Sequence, residues 1–230
     1  MNNISRINDC FDSIQGIHKL EHYLPLYEFW FSKFVGKSPR ILEVGVQYGG
    51  SSQLWYDYFG HNTKIFGVDI DISLARNKDA SYMTLVEGDQ GSEDFWNVFS
   101  KKYFNFDIII DDASHENSHQ IITLLKTFNL LKDNGIYWCE DTHTSYYPNG
   151  IRVSNGGYKN PDSFIEYSKN IIDVLHREHT KFAIGYGDFE GPQIPKELVD
   201  VFQKTRGIHF YDSVVVIEKG NPFPIKLLKK

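Results

Sequence analysis

The chain has 230 residues, a formal net charge of -6 and 41% hydrophobic residues, a composition that predicts one soluble globular domain with a large core. The acidic balance disfavours nucleic acid as a partner. No stretch is long and apolar enough to predict a membrane span, and the polar first residues do not resemble a signal peptide. The two cysteines, Cys10 and Cys139, share no metal-binding spacing, so we expect a reducing, cytoplasmic compartment.

Residues 1–39 predict a helical cap or lid that precedes the main fold. Apolar residues are too dense in 23–35 for a surface helix, and the Gly-Lys-Ser-Pro segment 36–39 ends it. Such a helix is either buried in the core or a self-association surface, so a homo-oligomer stays open. His18, Lys19 and His22 precede the helix, either as a solvated loop or as a lid over a ligand.

Residues 40–59 predict a buried strand, a glycine turn and a helix. The branched apolar run 41–44 ends at Gly45, and the turn continues to Gly49. Ser51 or Ser52 is a suitable N-cap for the helix that follows. Backbone N–H groups at such a helix start attract the carboxylate or phosphate of a ligand, so the turn predicts a ligand site.

The second strand, 64–68, indicates which ligand to expect. It ends on Asp69, about twenty residues beyond the turn, where nucleotide folds place a carboxylate for ribose hydroxyls. The turn lacks the middle glycine of the dinucleotide fingerprint, which disfavours NAD and FAD. Glu43, at the end of the first strand, would repel phosphates but suits an amino group. S-adenosylmethionine has an amino group, a sulfonium and a ribose but no phosphate, and is the predicted cofactor.

Apolar runs alternate with helical segments along the rest of the chain, which predicts an α/β, Rossmann-like fold with a mainly parallel sheet. The predicted strands are 41–44, 64–68, 82–87, 106–110, 135–139, 208–211 and 213–219, the last two forming an antiparallel edge hairpin. The predicted helices between them are 52–59, 73–77, 92–102, 118–131 and 162–176. We expect a single domain with a core of 40–219 and a tail of 220–230; the loop 185–192 is left unassigned.

Carboxylates follow every one of the first five predicted strands, at the sheet edge where ligands bind. Asp112 follows strand four, and Glu140 and Asp141 follow strand five, so these three are expected to converge. Three carboxylates at close range need a cation or a proton, and an all-oxygen set suits Mg²⁺, with Mn²⁺ or Ca²⁺ as substitutes. The alternative is that Asp111 or Asp141 caps a helix and the others are solvated. Asp89 is either a cap or a contact on the adenine side.

Two histidines are candidate general bases. His115 lies three residues beyond Asp112, and an imidazole with a pKa near 6.5 suits proton transfer at neutral pH. The alternative is a capping or surface histidine, which is how we interpret His119. His143 is the second candidate base. Tyr146 and Tyr147 would form a wall for a sugar ring or else pack in the core.

The motifs Glu-x-Gly-x-x-x-Gly-Gly-Ser, Gly-x-Asp-x-Asp, Asp-Asp-x-Ser-His and Glu-Asp-x-x-Thr-Ser-Tyr together resemble the macrocin and mycinamicin type of sugar O-methyltransferases. The resemblance extends from about His18 to Lys219. It implies a class I methyltransferase fold that uses S-adenosylmethionine and Mg²⁺. By the same resemblance Asp112, Glu140 and Asp141 are metal ligands and His115 is the base. The predicted cofactor-binding residues are Glu43, Gly45, Val46, Gly49, Ser51, Asp69, Ile70, Asp89, Gln90 and Asp111.

The predicted reaction is methyl transfer to a hydroxyl of a sugar or glycosylated small molecule, in natural-product or polysaccharide biosynthesis. The expected partner is therefore a small glycosyl or polyhydroxyl acceptor, with no nucleic acid or membrane. Transfer to a catechol or a sugar amine is the alternative among enzymes. A non-catalytic S-adenosylmethionine-binding protein, or a partner of an oxidase, is the alternative from a different class.

Overall fold

The computed structural model describes residues 6–75, 79–148, 156–177 and 194–222. The helices are α1 (Arg6–Asp12), α2 (Tyr23–Phe31), α3 (Gly50–Phe59), α4 (Glu93–Lys102), α5 (Asn117–Thr127), α6 (Phe164–His176) and α7 (Lys196–Phe202). The strands are β1 (Arg40–Val44), β2 (Lys64–Asp69), β3 (Met83–Glu87), β4 (Phe106–Asp111), β5 (Leu131–Cys139), β6 (Thr205–Tyr211) and β7 (Val214–Lys219). Within these ranges, no helix has the length and apolar character needed to cross a membrane. The loop 185–192, the end of the predicted helix 73–77 and most of the predicted tail lie outside the described residues.

The strands form one seven-stranded sheet in the order β3-β2-β1-β4-β5-β7-β6. Neighbours from β3 to β5 are parallel, and β7 pairs antiparallel with both β5 and β6. The predicted mainly parallel sheet with an antiparallel hairpin at its C-terminal edge is therefore confirmed. The order reverses between β1 and β4, so the helices that follow these two strands leave a crevice at their carboxyl ends.

Each face of the sheet packs against its own layer of helices, because successive strand residues point to opposite faces. One core holds Ile41, Ile65 and Ile108 together with buried residues of α1, α2 and α3. The other holds Leu42 and Ile109 with buried residues of α4 to α7. Because helices cover both faces of the sheet, the ends of the strands are the part of the sheet that a ligand can reach.

Helix α2 is a core helix, which explains its dense apolar sequence. Tyr27 is fully buried, and its ring centroid lies 5.0 Å from that of Trp55 and 4.9 Å from that of Trp138. Phe29 points outward and is 70% exposed. Burial accounts for the apolar pattern without a self-association surface, so the homo-oligomer stays an untested prediction.

Several element boundaries differ from the predictions. Gly49, with φ of 82°, is the N-cap of α3, so Ser51 and Ser52 lie in its first turn and neither caps it. Helix α5 ends at Thr127, and β5 begins at Leu131, earlier than expected. The described part of the predicted helix 73–77 is a 3-10 turn at Ile72–Leu74. The short helix α1 lies within the predicted helical cap of residues 1–39, although its bounds were not predicted, and the short helix α7 was not predicted.

We expect Gly45→Ala to destabilise the fold strongly. Gly45 has φ of +93°, and a Cβ there would lie 2.1 Å from the carbonyl oxygen of Asp112. Backbone strain and the clash together should lower the free energy of unfolding by roughly 3 kcal/mol or more, measured by urea denaturation. Gly36→Ala is the control, because Gly36 has φ of +73° with nothing within 4 Å of the added Cβ. Equal losses in the two variants would contradict the close approach at Gly45.

Candidate active site at the carboxyl edge of the sheet

A cavity of about 630 Å³ opens at the crevice between β1 and β4, a volume that suits a small organic ligand. Its wall contains residues from the N-terminal segment, the glycine turn, and the ends of β2, β3, β4 and β5. The wall includes Gly16, Ile17, His18, Lys19, Gly45, Val46, Gln47, Ser51, Asp69, Ile70, Asp89, Gln90, Asp112, His115, His119 and Asp141. Most of the predicted cofactor-binding residues are therefore brought together.

The glycine turn is held in shape by Asp69. Its Oδ2 accepts hydrogen bonds from the backbone N–H groups of Val46 and Gln47, both at 2.8 Å. Gln47 has φ of 48°, a left-handed conformation that is uncommon outside glycine. Asp69 therefore fixes the turn as well as facing the cavity, a role that its position at the strand end did not reveal. Ile70, the next residue, is 72% exposed and adds an apolar surface.

A hydrogen-bonded chain forms the opposite wall. Gln90 is buried and accepts from the backbone N–H and the hydroxyl of Ser114, at 3.1 and 2.9 Å. The Ser114 hydroxyl lies 3.0 Å from Nδ1 of His119. Asp89 accepts from the N–H of Gly91, and the N-cap of α4 is Ser92, so Asp89 does not cap that helix. His119 reaches the cavity wall, although its sequence position indicated a capping or surface residue.

Glu43 and Asp111 lie beneath the cavity wall. Glu43 is fully buried and accepts from Ser52 and from the indole of Trp55, the latter at 2.8 Å. Burial raises the pKa of Glu43, and raises that of Asp111 to about 8 against hydrogen bonds from Tyr137 and Gln90. The structure thus places both acids among protein donors, and neither lines the cavity described above.

Asp112, His115 and Asp141 form a group that could hold a cation. One potential ligand atom from each lies within 4.8 Å of the other two. Nε2 of His115 is 3.4 Å from Oδ2 of Asp141, and Nδ1 of His115 is buried without a hydrogen-bond partner among the described residues. Two carboxylates and an imidazole form a donor set that fits Mg²⁺ or Mn²⁺ with further oxygens from a substrate or water.

The backbone at two of these residues is strained. His115 has φ of 58° and Asp141 has φ of 53°, both in the left-handed region. Such conformations persist where the surroundings hold them, and they concentrate at functional sites. Here the hydroxyl of Thr144 donates to the carbonyls of both residues, at 2.8 Å for His115 and 3.0 Å for Asp141.

Glu140 lies next to this group but is already occupied by protein donors. Its Oε1 accepts from the hydroxyl of Tyr27 and from the indole of Trp138, the latter at 3.0 Å. Its Oε2 accepts from Nζ of Lys19 at 2.8 Å. Glu140 is 1% exposed, so its charge depends on these contacts.

Lys19, which the sequence analysis left open between a solvated loop and a lid, is part of this site. Its ammonium donates to the carboxylates of both Asp112 and Glu140, and its side chain is 3% exposed. Burial alone would lower the pKa of Lys19, but the two carboxylates raise it above its ordinary value. Of the three N-terminal residues assigned to a loop or a lid, His18 and Lys19 line the cavity. His22 instead contacts the carbonyl of Asp212.

The remaining predicted site residues lie on the 3-10 turn Thr142–Tyr146 and just after it. Nδ1 of His143 contacts the hydroxyl of Ser213 and lies 4.0 Å from Oδ1 of Asp141. Tyr146 and Tyr147 are 51% and 37% exposed, which excludes the core alternative. None of these three residues is part of the described cavity wall.

Comparisons with known proteins connect this geometry to a chemistry. The chain is 28% identical over 211 residues to demethylmacrocin O-methyltransferase of Streptomyces fradiae, covering 87% of this chain and 49% of the relative. It is 29% identical to mycinamicin VI 2''-O-methyltransferase of Micromonospora griseorubida, over 87% of this chain and 49% of the relative. The chain resembles the macrocin and mycinamicin type of sugar O-methyltransferases. It spans about half the length of these curated relatives.

The solved structures show the same relationship. The MycE methyltransferase of the mycinamycin pathway, in complex with Mg, SAH and mycinamycin VI, has a TM-score of 0.73 and 25% identity. The match covers 94% of this chain and 54% of that one. The fold is that of the class I methyltransferases, as the sequence predicted. No family model matches the chain.

We expect Asp69→Ala to loosen the glycine turn. The variant loses the acceptor of three backbone N–H groups, those of Val46 and Gln47 in the turn and that of Asp71. This loss should lower the free energy of unfolding by about 1–3 kcal/mol, measured by chemical denaturation. Asp71→Ala is the matched control, since Asp71 follows the same strand and, among the described residues, its carboxylate accepts from the exposed Ser73 and not from the glycine turn. Asp71→Ala should lower the free energy of unfolding by less than Asp69→Ala does. An equal loss in both variants would show that the turn does not depend on Asp69.

Proposed function

We propose that the chain is an S-adenosylmethionine-dependent and divalent-metal-dependent O-methyltransferase that acts on a hydroxyl of a sugar or a glycosylated small molecule. The observation that carries the proposal is one cavity whose wall holds both the turn at Gly45 and the group of Asp112, His115 and Asp141. The names of the relatives and the Mg and SAH in the MycE complex support this assignment.

The cavity fits the cofactor in size and in the character of its wall. Gly45 lets the turn lie against the backbone of Asp112 and Ala113 after β4, which leaves no room for a Cβ. Asp69 supplies a carboxylate on the side expected for ribose hydroxyls, and Ile70 supplies an apolar surface for adenine. Gln90 and Asp89 are then polar groups of the wall on the proposed adenine side. Glu43 supports the turn from below through Ser52 rather than by direct contact.

The residues present also fit a divalent cation, which would lower the pKa of an acceptor hydroxyl and orient it. Asp112 and Asp141 supply oxygens on the cavity wall. Glu140, predicted as the third ligand, is one residue from Asp141 and shares Lys19 with Asp112. We propose these three acids as the ligand set, with His115 free to act as the base.

We propose that His115 accepts the proton of the acceptor hydroxyl as the new C–O bond forms and the methyl–sulfur bond of the cofactor breaks. Its imidazole lies on the cavity wall, and Asp141, 3.4 Å away, would offset the positive charge that the imidazole gains. Because a sulfonium is already reactive, we expect positioning of the two reactants to supply much of the acceleration.

The acceptor is proposed to be a small glycosyl or polyhydroxyl molecule. Tyr146 and Tyr147 are exposed aromatic side chains that follow Asp141 by a few residues, and their ring faces suit the apolar face of a sugar. His143 contacts the Tyr147 ring, with 5.4 Å between ring centroids. The test is an assay with a panel of acceptors. Turnover of a catechol or an amine, with none of a sugar hydroxyl, would shift the assignment to that class of acceptor.

Metal removal should separate binding of the cofactor from turnover. We expect calorimetry to show S-adenosylmethionine binding both with Mg²⁺ and with EDTA, whereas methyl transfer to a hydroxyl acceptor requires the metal. Asp112→Asn and Asp141→Asn should each weaken Mn²⁺ binding by about tenfold or more, because each removes a charged oxygen ligand. Cofactor binding with no turnover on any acceptor would support the non-catalytic alternative instead.

We expect His115→Ala to lower the methyl-transfer rate by about 10²–10⁴-fold, the usual contribution of a general base, while calorimetry shows intact cofactor binding. His143→Ala tests the second candidate, and His61→Ala is the surface control, since His61 stacks on Tyr56 away from the cavity wall. Wild-type turnover in His115→Ala would refute its assignment as the base. A large loss in His143→Ala alone would move the role to His143.

A further inference from the structure

Lys19 lies where the predicted metal ligands converge. Its ammonium bridges Asp112 from the end of β4 and Glu140 from the end of β5, residues that are 93 and 121 positions away in the chain. The bridge is almost completely buried on the lysine side, with 3% of that side chain exposed. A primary ammonium with two carboxylate partners occupies the place that these carboxylates would offer to a cation.

The surrounding contacts make this arrangement specific. The second oxygen of Glu140 accepts from Tyr27 and Trp138, so the oxygen that faces Lys19 is the one left for a cation. Asp112 is 20% exposed on its side chain and lines the cavity, so a cation in the cavity approaches the pair from the Asp112 side, while Glu140 lies behind it at 1% exposure. An ammonium and a divalent ion cannot both approach two carboxylate oxygens closely without strong mutual repulsion.

We propose that Lys19 and a divalent cation compete for Asp112 and Glu140, so that Lys19 limits the metal affinity of the site. The inference rests on the proposed metal site. It goes beyond that proposal because it assigns Lys19 a role as an internal competitor and a positioning residue, not as a catalytic residue.

The competition also connects the metal to the cofactor cavity. Lys19 belongs to the segment 16–19, which forms part of the cavity wall. The same segment packs closely on the start of α3: a Cβ at Gly50 would lie 2.9 Å from the carbonyl oxygen of Gly16. Displacing the Lys19 ammonium therefore releases a contact that ties this wall to the carboxylates.

The first test measures the Kd for Mn²⁺ of Lys19→Met and of the wild type. The Mn²⁺ titrations are monitored by calorimetry and by the electron paramagnetic resonance signal of free Mn²⁺. Met keeps the length and the apolar stem but removes the charge. We expect the Kd for Mn²⁺ to fall by about tenfold or more, because a positive charge close to the bound ion is lost. Lys132→Met is the control, since Lys132 pairs with Asp107 at 2.8 and 2.9 Å at the opposite end of β4. It should leave the Kd unchanged.

The outcomes distinguish the inference from the proposed function. Mn²⁺ binding by the wild type with equal or weaker binding by Lys19→Met would overturn the competition and leave the metal site standing. Binding by Lys19→Met alone would support strong competition. No binding by either protein would remove the metal site and the inference together.

A second measurement on the wild-type chain does not depend on the folding of a variant. A short pulse of acetic anhydride followed by peptide mass spectrometry reports how accessible each lysine amine is. We expect Lys19 to be protected in EDTA and to be acetylated several-fold faster at saturating Mn²⁺, while Lys132 changes little. Equal protection of Lys19 in both conditions would show that the cation does not displace it.

Discussion

The structure depends on how a set of buried carboxylates at one sheet edge is compensated. A carboxylate taken out of water is costly unless charges and hydrogen bonds replace its hydration. Different donors compensate these acids. Ser52 and Trp55 donate hydrogen bonds to Glu43, and Gln90 and Tyr137 donate to Asp111. The Lys19 ammonium donates to both Asp112 and Glu140. Core aromatic residues supply part of this compensation, since Trp55, Tyr137, Tyr27 and Trp138 each donate a hydrogen bond to one of these acids.

The same requirement makes the N-terminal residues part of the site. The hydroxyls of Tyr23 and Tyr27 donate to Asp141 and Glu140, respectively. The rings of these two α2 residues are therefore buried in the core, while their hydroxyls bind the carboxylates that follow β5. Together with Lys19, these residues link the first thirty positions to the carboxylates after β5. The cap is thus a structural support of the proposed metal site, and the cavity wall gains its covering segment from the same stretch of chain.

The sequence predicted the features that depend on local pattern. Apolar runs located the strands. Because ligands bind at the carboxyl ends of parallel strands, the sequence also predicted that Asp69, Asp112 and Asp141 lie at one edge of the sheet, and all three line the same cavity. The sequence left Lys19 open between a solvated loop and a lid and did not reveal its two carboxylate partners, because these lie 93 and 121 positions away in the chain. Tyr27 was an apolar residue in the pattern, and nothing local shows that its hydroxyl reaches Glu140. Helices α1 and α7 are one or two turns long, too short for a periodic pattern to mark them.

Three residues without a glycine's freedom, Gln47, His115 and Asp141, adopt left-handed backbone conformations around one cavity. Glycine at any of them would relieve the strain of the left-handed backbone, yet at His115 or Asp141 it would remove an imidazole or a carboxylate from the cavity wall. A redesign that only relieved backbone strain would therefore remove the side chains that could bind a ligand or transfer a proton in this cavity. At these positions, stability and activity favour different amino acids.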